Sequence, residues 1–186
     1  MPKGLPNLMT HGEFLDVVRF ISELGKPGPY AIRTVPAIQR WRVMQEVPTE
    51  LAATVPDAAK FKQGVLDAAD DAWKPAYGKV SGELPLAEIV PANSSAGSPV
   101  VLYLFGEIDV TEAGELELVV SGPPKSNVWL DATSLGEAGQ LKTRVEAGQH
   151  KIILRVSVEP TSAATVKVEF AKPAGSTVEF SVVGGR

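Results

Sequence analysis

The hydrophobic pattern of the chain changes near Pro99. Beyond this residue, apolar and polar side chains alternate with a period of two, in short stretches separated by Gly, Pro, Ser or Asn. A period of two places successive side chains on opposite faces of a β-strand. The alternating stretches are 100–108, 115–120, 128–130, 141–146, 151–158, 166–170 and 178–182. About seven short strands without intervening helices predict a mainly β fold, an antiparallel β-sandwich, over residues 100–186.

A helical period governs the residues that follow Thr10. Thr10 and Glu13 have the spacing of a capping box, in which each side chain accepts a hydrogen bond from the backbone N–H of the other residue. The next apolar residues recur at helical spacing on one face: Phe14, Val17, Val18, Ile21 and Leu24. Gly25 and Pro27 are typical helix-ending residues. The pattern predicts one N-terminal amphipathic α-helix, whose apolar stripe must dock on another surface.

The sequence between the helix and the sandwich contains strand-like, helical and loop-like stretches. Residues 40–44 alternate like a strand, the Ala-rich stretch 51–66 predicts one or two short helical turns, and 91–99 has the composition of a loop. We expect the whole connecting region to pack on the sandwich. The expected divisions of the chain are therefore a helical segment at 1–29, a connecting region at 30–99 and a β-sandwich at 100–186.

Composition and charge narrow the range of partners. Hydrophobic residues make up 44% of the 186 residues, which is enough to build a core. The net charge is −4, and lysine and arginine are scattered, so no basic surface is expected to attract nucleic acid or an anionic membrane. No apolar run approaches the about 18 residues of a membrane-spanning helix. We expect no nucleic acid partner and no direct membrane insertion.

Residues that carry catalytic or metal chemistry are sparse. The chain has no cysteine, which excludes disulfides, thiolate nucleophiles, cysteine-based zinc sites and covalent haem attachment through C-x-x-C-H within this chain. The two histidines, His11 and His150, are isolated, and no G-x-S-x-G or P-loop pattern occurs. We therefore expect a protein that is not an enzyme and that holds no metal or cofactor within this chain. The His150 ring is expected to pack on, or bond to, the glycine turn before it.

One tryptophan has an ambiguous position. By the pleat of a strand, Trp129 points to the face opposite Val128 and Leu130. If those two residues face the core, Trp129 faces either solvent or a segment that covers the sheet. An exposed indole stacks on sugar rings, whereas a buried one fills a core. Both interpretations remain open at the level of the sequence.

Two parts of the chain together resemble a family. The N-terminus resembles the end of a class I c-type cytochrome domain, in Met1-Pro2, a loop and the helix beginning near Glu13. The rest of the chain resembles the C-terminal part of large haem-binding, membrane-bound dehydrogenase-like proteins of planctomycetes, in segments 25–30, 40–43, 81–86 and 183–186. The resemblance implies that Met1 is an axial haem ligand, that haem c is held by an upstream domain, and that this chain is the C-terminal piece of a bacterial electron-transfer protein. It also implies a periplasmic or extracellular location.

The function implied by this resemblance is that of a non-catalytic accessory β-sandwich domain. Its role would be structural or recognition work beside the cytochrome c-like domain, which is then its partner.

A second resemblance concerns Trp129, Asp131 and the Gly148-Gln149-His150 turn. This part of the chain resembles the jelly-roll sugar-binding modules of the protective-antigen and galactose-binding type, although Ala132 follows Asp131 where those modules have glycine. The resemblance implies that Trp129 and Asp131 contact a ligand. The alternative function is accordingly a carbohydrate-binding module that stacks a sugar on exposed aromatic residues.

Overall fold

A computed structural model of the chain describes residues 10–23, 35–91, 94 and 98–184. The chain divides into two compact units, residues 1–34 and 35–186. Within the described residues, the first unit contains helix α1 (His11–Glu23), and every strand belongs to the second. Leu24, Gly25 and Pro27, with which the sequence predicts the end of the helix, lie outside the described residues.

The capping box at the start of α1 forms as predicted. The Thr10 N–H donates to Glu13 Oε2 at 2.7 Å, and the Glu13 N–H donates to Thr10 Oγ1 at 3.3 Å. The hydrogen bonds from Thr10 lower the pKa of the Glu13 carboxyl. None of the described residues of α1 is buried, and its large apolar side chains, from Phe14 at 39% to Ile21 at 56%, are exposed.

The second unit is an antiparallel β-sandwich, which confirms the predicted fold class. Its strands are β1 (Arg40–Met44), β2 (Lys74–Tyr77), β3 (Leu84–Pro85), β4 (Val100–Glu112), β5 (Gly114–Ser121), β6 (Asn127–Leu130), β7 (Thr133–Glu137), β8 (Gln140–Val145), β9 (Gly148–Val158), β10 (Thr165–Ala171) and β11 (Glu179–Val182). The larger sheet has the order β2-β1-β4-β9-β6-β7, with β11 also pairing with β4. The smaller sheet has the order β3-β10-β5-β8.

Region 35–99 does more than pack on the sandwich. The alternation at residues 40–44 correctly predicts strand β1, which pairs with the centre of β4 through registers such as Val43 with Leu104. Strand β2 pairs with β1, and β3 pairs with β10 in the other sheet. The boundary expected at residue 99 therefore falls inside the sandwich.

The inner faces of the two sheets enclose the main core. The larger sheet contributes residues such as Leu104 and Leu154, and the smaller sheet contributes residues such as Leu118 and Val168, all with no exposed surface. Burying each such side chain stabilises the fold by about 1.5–3 kcal/mol. The even-numbered residues of β4 and β9 build this layer, as the alternation predicts.

The larger sheet has a second apolar face. We call residues 47–73 the covering segment; they contain α2 (Thr49–Ala53), α3 (Ala58–Phe61), a π-helical turn (Lys62–Leu66) and a 3-10 turn (Asp70–Ala72). These elements confirm the predicted short helical turns. The cluster beneath them contains Met44, Leu51, Phe61, Val65, Trp73, Tyr103, Phe105, Trp129 and Ile153. Strands β4 and β9 are consequently buried on both faces along their central residues.

Candidate functional site

A cleft opens on the outer face of the larger sheet, beside α2. Arg155 and Ser157 of β9 lie on this face, because they alternate with the inner-face residues of the strand. The cleft has a volume of about 640 Å³. Its lining includes Thr49, Ala52, Val101, Lys125, Arg155, Ser157 and Glu159. We call it the Arg155 cleft.

Arg155 connects the sheet to the covering segment. The side chain is buried, with the residue only 8% exposed, and its Nε donates to the Leu51 carbonyl at 3.3 Å while Nη2 donates to the Ala52 carbonyl at 2.6 Å. Both carbonyls lie in the last turn of α2, where backbone oxygens lack helical donors and carry partial negative charge. The guanidinium thus satisfies the end of α2 and holds the helix on the sheet.

Tyr103 supports the same contact from the neighbouring strand. It pairs with Arg155 across β4 and β9, and its hydroxyl donates to the Leu51 carbonyl at 3.2 Å. Burial raises the pKa of the Tyr103 hydroxyl, and the nearby Arg155 charge offsets part of this increase. The phenol therefore remains a neutral donor, and the Leu51 carbonyl receives two hydrogen bonds.

Arg155 is also one of the residues that line the cleft. Two of its five N–H groups bond to α2, and the guanidinium also hydrogen-bonds the Tyr103 hydroxyl. No carboxylate of a described residue forms an ion pair with Arg155. The cleft is therefore lined by a buried cation that no described carboxylate neutralises.

The rim of the cleft adds charges of both signs. Lys125 is an exposed residue with φ of +60°, a left-handed conformation in the turn between β5 and β6. The neighbouring Ser126 hydroxyl donates to the Pro123 carbonyl at 2.7 Å and fixes this turn. Glu159 is exposed just after the end of β9. Together, the lining can accept an anionic group near Arg155 and hydrogen-bond polar groups near Glu159.

Sequence reasoning missed this cleft. The available signal is an arginine inside the apolar run Ile152-Ile153-Leu154-Arg155-Val156. A run that is apolar at consecutive positions indicates a strand buried on both faces. An arginine within such a run must find buried partners or a cavity.

The pleat prediction for Trp129 is confirmed, but the expectation that it offers an exposed platform is wrong. Val128 and Leu130 lie in the inner core, whereas Trp129 lies in the outer cluster and is only 3% exposed. Its indole stacks on Phe61 of the covering segment, with ring centroids 4.6 Å apart and planes 15° apart. A sugar ring has no access to this face, because Phe61 occupies it.

Asp131 is tied to the glycine turn that precedes β9. Its backbone has φ of +50°, its Oδ1 accepts from the Lys151 N–H at 2.8 Å, and its Oδ2 lies 2.7 Å from His150 Nδ1. His150 Nε2 lies 2.8 Å from the Glu146 carbonyl, so the ring bonds to the turn as expected. Burial lowers the pKa of His150, but the hydrogen bonds and charges of Asp131 and Glu146 outweigh it and raise that pKa overall.

The arrangement explains what His150 and Asp131 do. Both ring nitrogens face oxygens that only accept hydrogen bonds, so a protonated imidazolium that donates from both nitrogens fits the site. Both carboxylate oxygens of Asp131 are engaged as well. The pair serves as a clasp between the β6–β7 turn and the start of β9.

Two further predictions concern haem and metal. Met1, the predicted axial haem ligand, lies outside the described residues. Among residues 10–23, 35–91, 94 and 98–184, no three or more His, Cys, Asp or Glu side chains come together as a metal site would require. In the same part of the chain, no helix has the length and apolar character needed to cross a membrane.

Comparisons with known proteins identify no family. No protein-family model matches the sequence, and no curated protein matches it. Among solved structures, a β-glucosidase from Kluyveromyces marxianus is similar over 81% of this chain, with a TM-score of 0.45 and 10% sequence identity. This chain spans 15% of the length of that enzyme. Similarity at this level indicates neither a shared activity nor a shared ligand.

Proposed function

We propose that this chain is a non-catalytic accessory β-sandwich domain of an exported bacterial protein. Its role is structural or recognition work beside a haem-bearing, c-type cytochrome-like domain, in the periplasm or outside the cell. The observation that carries the proposal is helix α1, which is capped and amphipathic but buries none of its described residues.

The energetics of α1 support docking on another domain. An isolated helix shorter than about 12–15 residues is marginal in water, and α1 has 13. Phe14, Val17 and Ile21 form one apolar stripe, and each side chain contributes about 1.5–3 kcal/mol when fully buried. The N-terminal resemblance implies a haem domain as the partner, since in class I c-type cytochromes the corresponding C-terminal helix packs on the N-terminal helix of that domain.

The hydrogen bonds of the titratable groups also support an accessory role. His150 and Asp131 form the closest histidine–carboxylate pair of the described sandwich, and each engages both of its polar atoms in holding the turn. A general base needs a free lone pair within reach of a substrate proton. Because both ring nitrogens of His150 are hydrogen-bonded, this pair has no free lone pair for a substrate proton.

The experiment that tests this proposal is the intact mass and visible spectrum of the protein isolated from its native cells with an antibody against the sandwich. We expect a mass well above 19.7 kDa, together with a Soret band from an upstream haem domain. A mass near 19.7 kDa without visible absorption overturns the haem-bearing partner.

A variant pair tests the docking surface in the same native protein. Ile21→Ser removes an apolar side chain from the α1 stripe, and Val80→Ser, at a residue that is 85% exposed in a turn of the sandwich, is the control. We expect Ile21→Ser to lower the melting temperature followed at the Soret band and Val80→Ser to leave it unchanged. Equal melting temperatures for the two variants contradict docking through α1.

The second candidate is a carbohydrate-binding module. Stacking on Trp129 no longer supports it, because Phe61 covers the indole. The observation that favours ligand recognition is instead the Arg155 cleft, which has the size of a small-molecule site and is lined by the buried Arg155 cation.

A further inference from the structure

We propose that the Arg155 cleft binds a small carboxylate that carries neighbouring hydroxyl groups, such as a sugar acid. This inference rests on the recognition role of the proposed function and does not depend on a haem domain. It assigns a ligand class to a site that no sequence motif marks.

The carboxylate is the group that fits Arg155. Nε and Nη2 bond to the Leu51 and Ala52 carbonyls, and the guanidinium also bonds to the Tyr103 hydroxyl, which leaves two of its five N–H groups for a ligand. Two parallel N–H groups match the two oxygens of a carboxylate, and such bidentate pairs are about twice as strong as neutral hydrogen bonds. Because α2 and Tyr103 fix the guanidinium, little side-chain entropy is lost when a ligand binds.

The rest of the lining fits hydroxyl groups. Thr49 and Ser157 present hydroxyls that donate or accept, and Glu159 presents a carboxylate that accepts. Ala52 and Val101 add apolar surface to the same cleft, against which the C–H face of a polyol can pack. A volume of about 640 Å³ lies within the range of about 300–1,000 Å³ that is usual for small-molecule sites.

The charges favour a monoanion over phosphate. Arg155, Lys125 and Glu159 leave the lining with one net positive charge. A phosphate ester carries about −1.5 to −2 charges at neutral pH, and the Glu159 carboxylate repels it more strongly than a single carboxylate. A ligand with one negative charge and several hydroxyls uses all of these groups.

The test is a titration of the isotope-labelled 186-residue chain, followed by backbone amide NMR. The probe is D-glucuronate, with D-glucose as the neutral match of the same ring, and acetate and inorganic phosphate as anions without the sugar. We expect saturable shifts confined to α2, the turn around Lys125 and the end of β9, and an affinity for glucuronate at least about tenfold above that for each comparison compound.

Two variants, each of which removes one charge from the lining, sharpen the test and leave the bonds between Arg155 and α2 in place. Lys125→Asn keeps a residue that tolerates φ of +60° and should weaken glucuronate about threefold, while Glu159→Gln should strengthen it about threefold. Lys79→Asn makes the same charge change at an exposed turn outside the cleft and should leave the affinity unchanged.

Several results overturn the proposal. The first is a set of shifts outside the cleft, and the second is the absence of saturation at millimolar glucuronate. The third is equal affinity for glucose. The fourth is binding of acetate or phosphate as tightly as glucuronate, which would indicate an adventitious ion only. Equal effects of Lys125→Asn and Lys79→Asn overturn it as well. A negative titration leaves the mass and visible spectrum of the native protein unaffected, so failure of this inference is distinguishable from failure of the accessory-domain proposal.

Discussion

The two faces of the larger sheet are buried by different parts of the chain. The inner face packs against another sheet, with fully buried residues such as Leu104 and Leu154 meeting Leu118 and Val168. The outer face packs against the covering segment, which supplies aromatic contacts and borders the Arg155 cleft with its first helix, α2. The inner face is thus closed by another sheet, while the outer face combines a packed cluster with an open cleft.

Strand β9 belongs to both arrangements. Leu154 packs inward with no exposed surface, and its neighbours Ile153 and Arg155 point outward. Ile153 lies beneath the covering segment, whereas Arg155 lies where that segment gives way to the cleft. Three consecutive residues of β9 therefore contact three different surroundings: the covering segment, the inner core and the Arg155 cleft.

The largest effect is expected at Trp129, which measures whether the outer face is a true core. Trp129→Ala should lower the free energy of unfolding by about 3–5 kcal/mol, because it removes the stack on Phe61 and leaves a cavity. Denaturant unfolding of the purified chain measures this change. Tyr77→Ala is the control: its ring is 66% exposed on β2, so the expected change is within about 0.5 kcal/mol.

A small effect at Trp129 contradicts the burial of the outer face. If Trp129→Ala and Tyr77→Ala give similar stabilities, the covering segment does not seal the indole, and stacking of a sugar on Trp129 becomes open again. Iodide quenching of tryptophan fluorescence provides an independent measure, which should report a protected indole.

A second prediction concerns the hydrogen bonds by which Arg155 of β9 holds α2 on the larger sheet. Arg155→Met keeps much of the side-chain volume but removes both donors to α2, so the Leu51 and Ala52 carbonyls lose partners. We expect a loss of about 1–3 kcal/mol in the free energy of unfolding. Hydrogen exchange should accelerate in the covering segment and stay unchanged in the smaller sheet.

Ser157→Ala serves as the control for that change, because it alters the cleft floor without touching α2. Its exchange pattern should match that of the unmodified chain. Uniform acceleration across both sheets in Arg155→Met would mean that Arg155 stabilises the whole sandwich rather than the covering segment.

Much of this architecture was predictable from the alternation of apolar residues. Residues 100–108 and 151–158 alternate over a length that specifies β4 and β9 and their inner face, and Thr10 with Glu13 specifies the start of α1. Strand β7 (Thr133–Glu137) was missed, since its residues are mostly exposed and it pairs only with β6 along the edge of the sheet. An edge strand without a buried face lacks the alternation that reveals other strands.

The candidate site was less predictable, for a different physical reason. The pleat places Trp129 and Arg155 on the outer face, but it does not state whether another segment covers that face. Cover depends on residues such as Phe61 and Leu51, which are distant in sequence and lie in short helices. The consecutive apolar residues at 100–105 and 152–154 were the available sign that both faces are buried.

A third prediction tests the tightness of the inner face. Gly106 lies in β4 at an inner-face position, and a Cβ there would come within 2.5 Å of the Ile38 side chain. Gly106→Ala should therefore lower the free energy of unfolding by about 1–3 kcal/mol through overpacking. Thermal unfolding of Gly106→Ala, alone and in an Ile38→Ala background, checks the cause: Ile38→Ala removes the Cγ2 and Cδ1 atoms nearest the new Cβ, so the cost of Gly106→Ala should become smaller.

The smallest effect is expected at the clasp between the β6–β7 turn and the start of β9, where His150 bonds Asp131. The pKa of His150 is raised in the folded chain, so the folded state holds its proton more tightly than the unfolded state does. The stabilisation is therefore fully present below the unfolded pKa of about 6.5 and is lost as the pH rises through the folded pKa. Since the pair is partly exposed, the contribution should stay below about 1 kcal/mol.

The measurement is the difference in unfolding free energy between the chain and His150→Gln, taken at several values between about pH 5 and 9. The difference should be larger at the acid end and shrink towards the alkaline end. His11→Gln removes the other histidine, in α1 outside the sandwich, and controls for the loss of an imidazole. A difference that grows with pH would mean that the folded state favours neutral His150, and the imidazolium clasp with Asp131 and the Glu146 carbonyl would then be wrong.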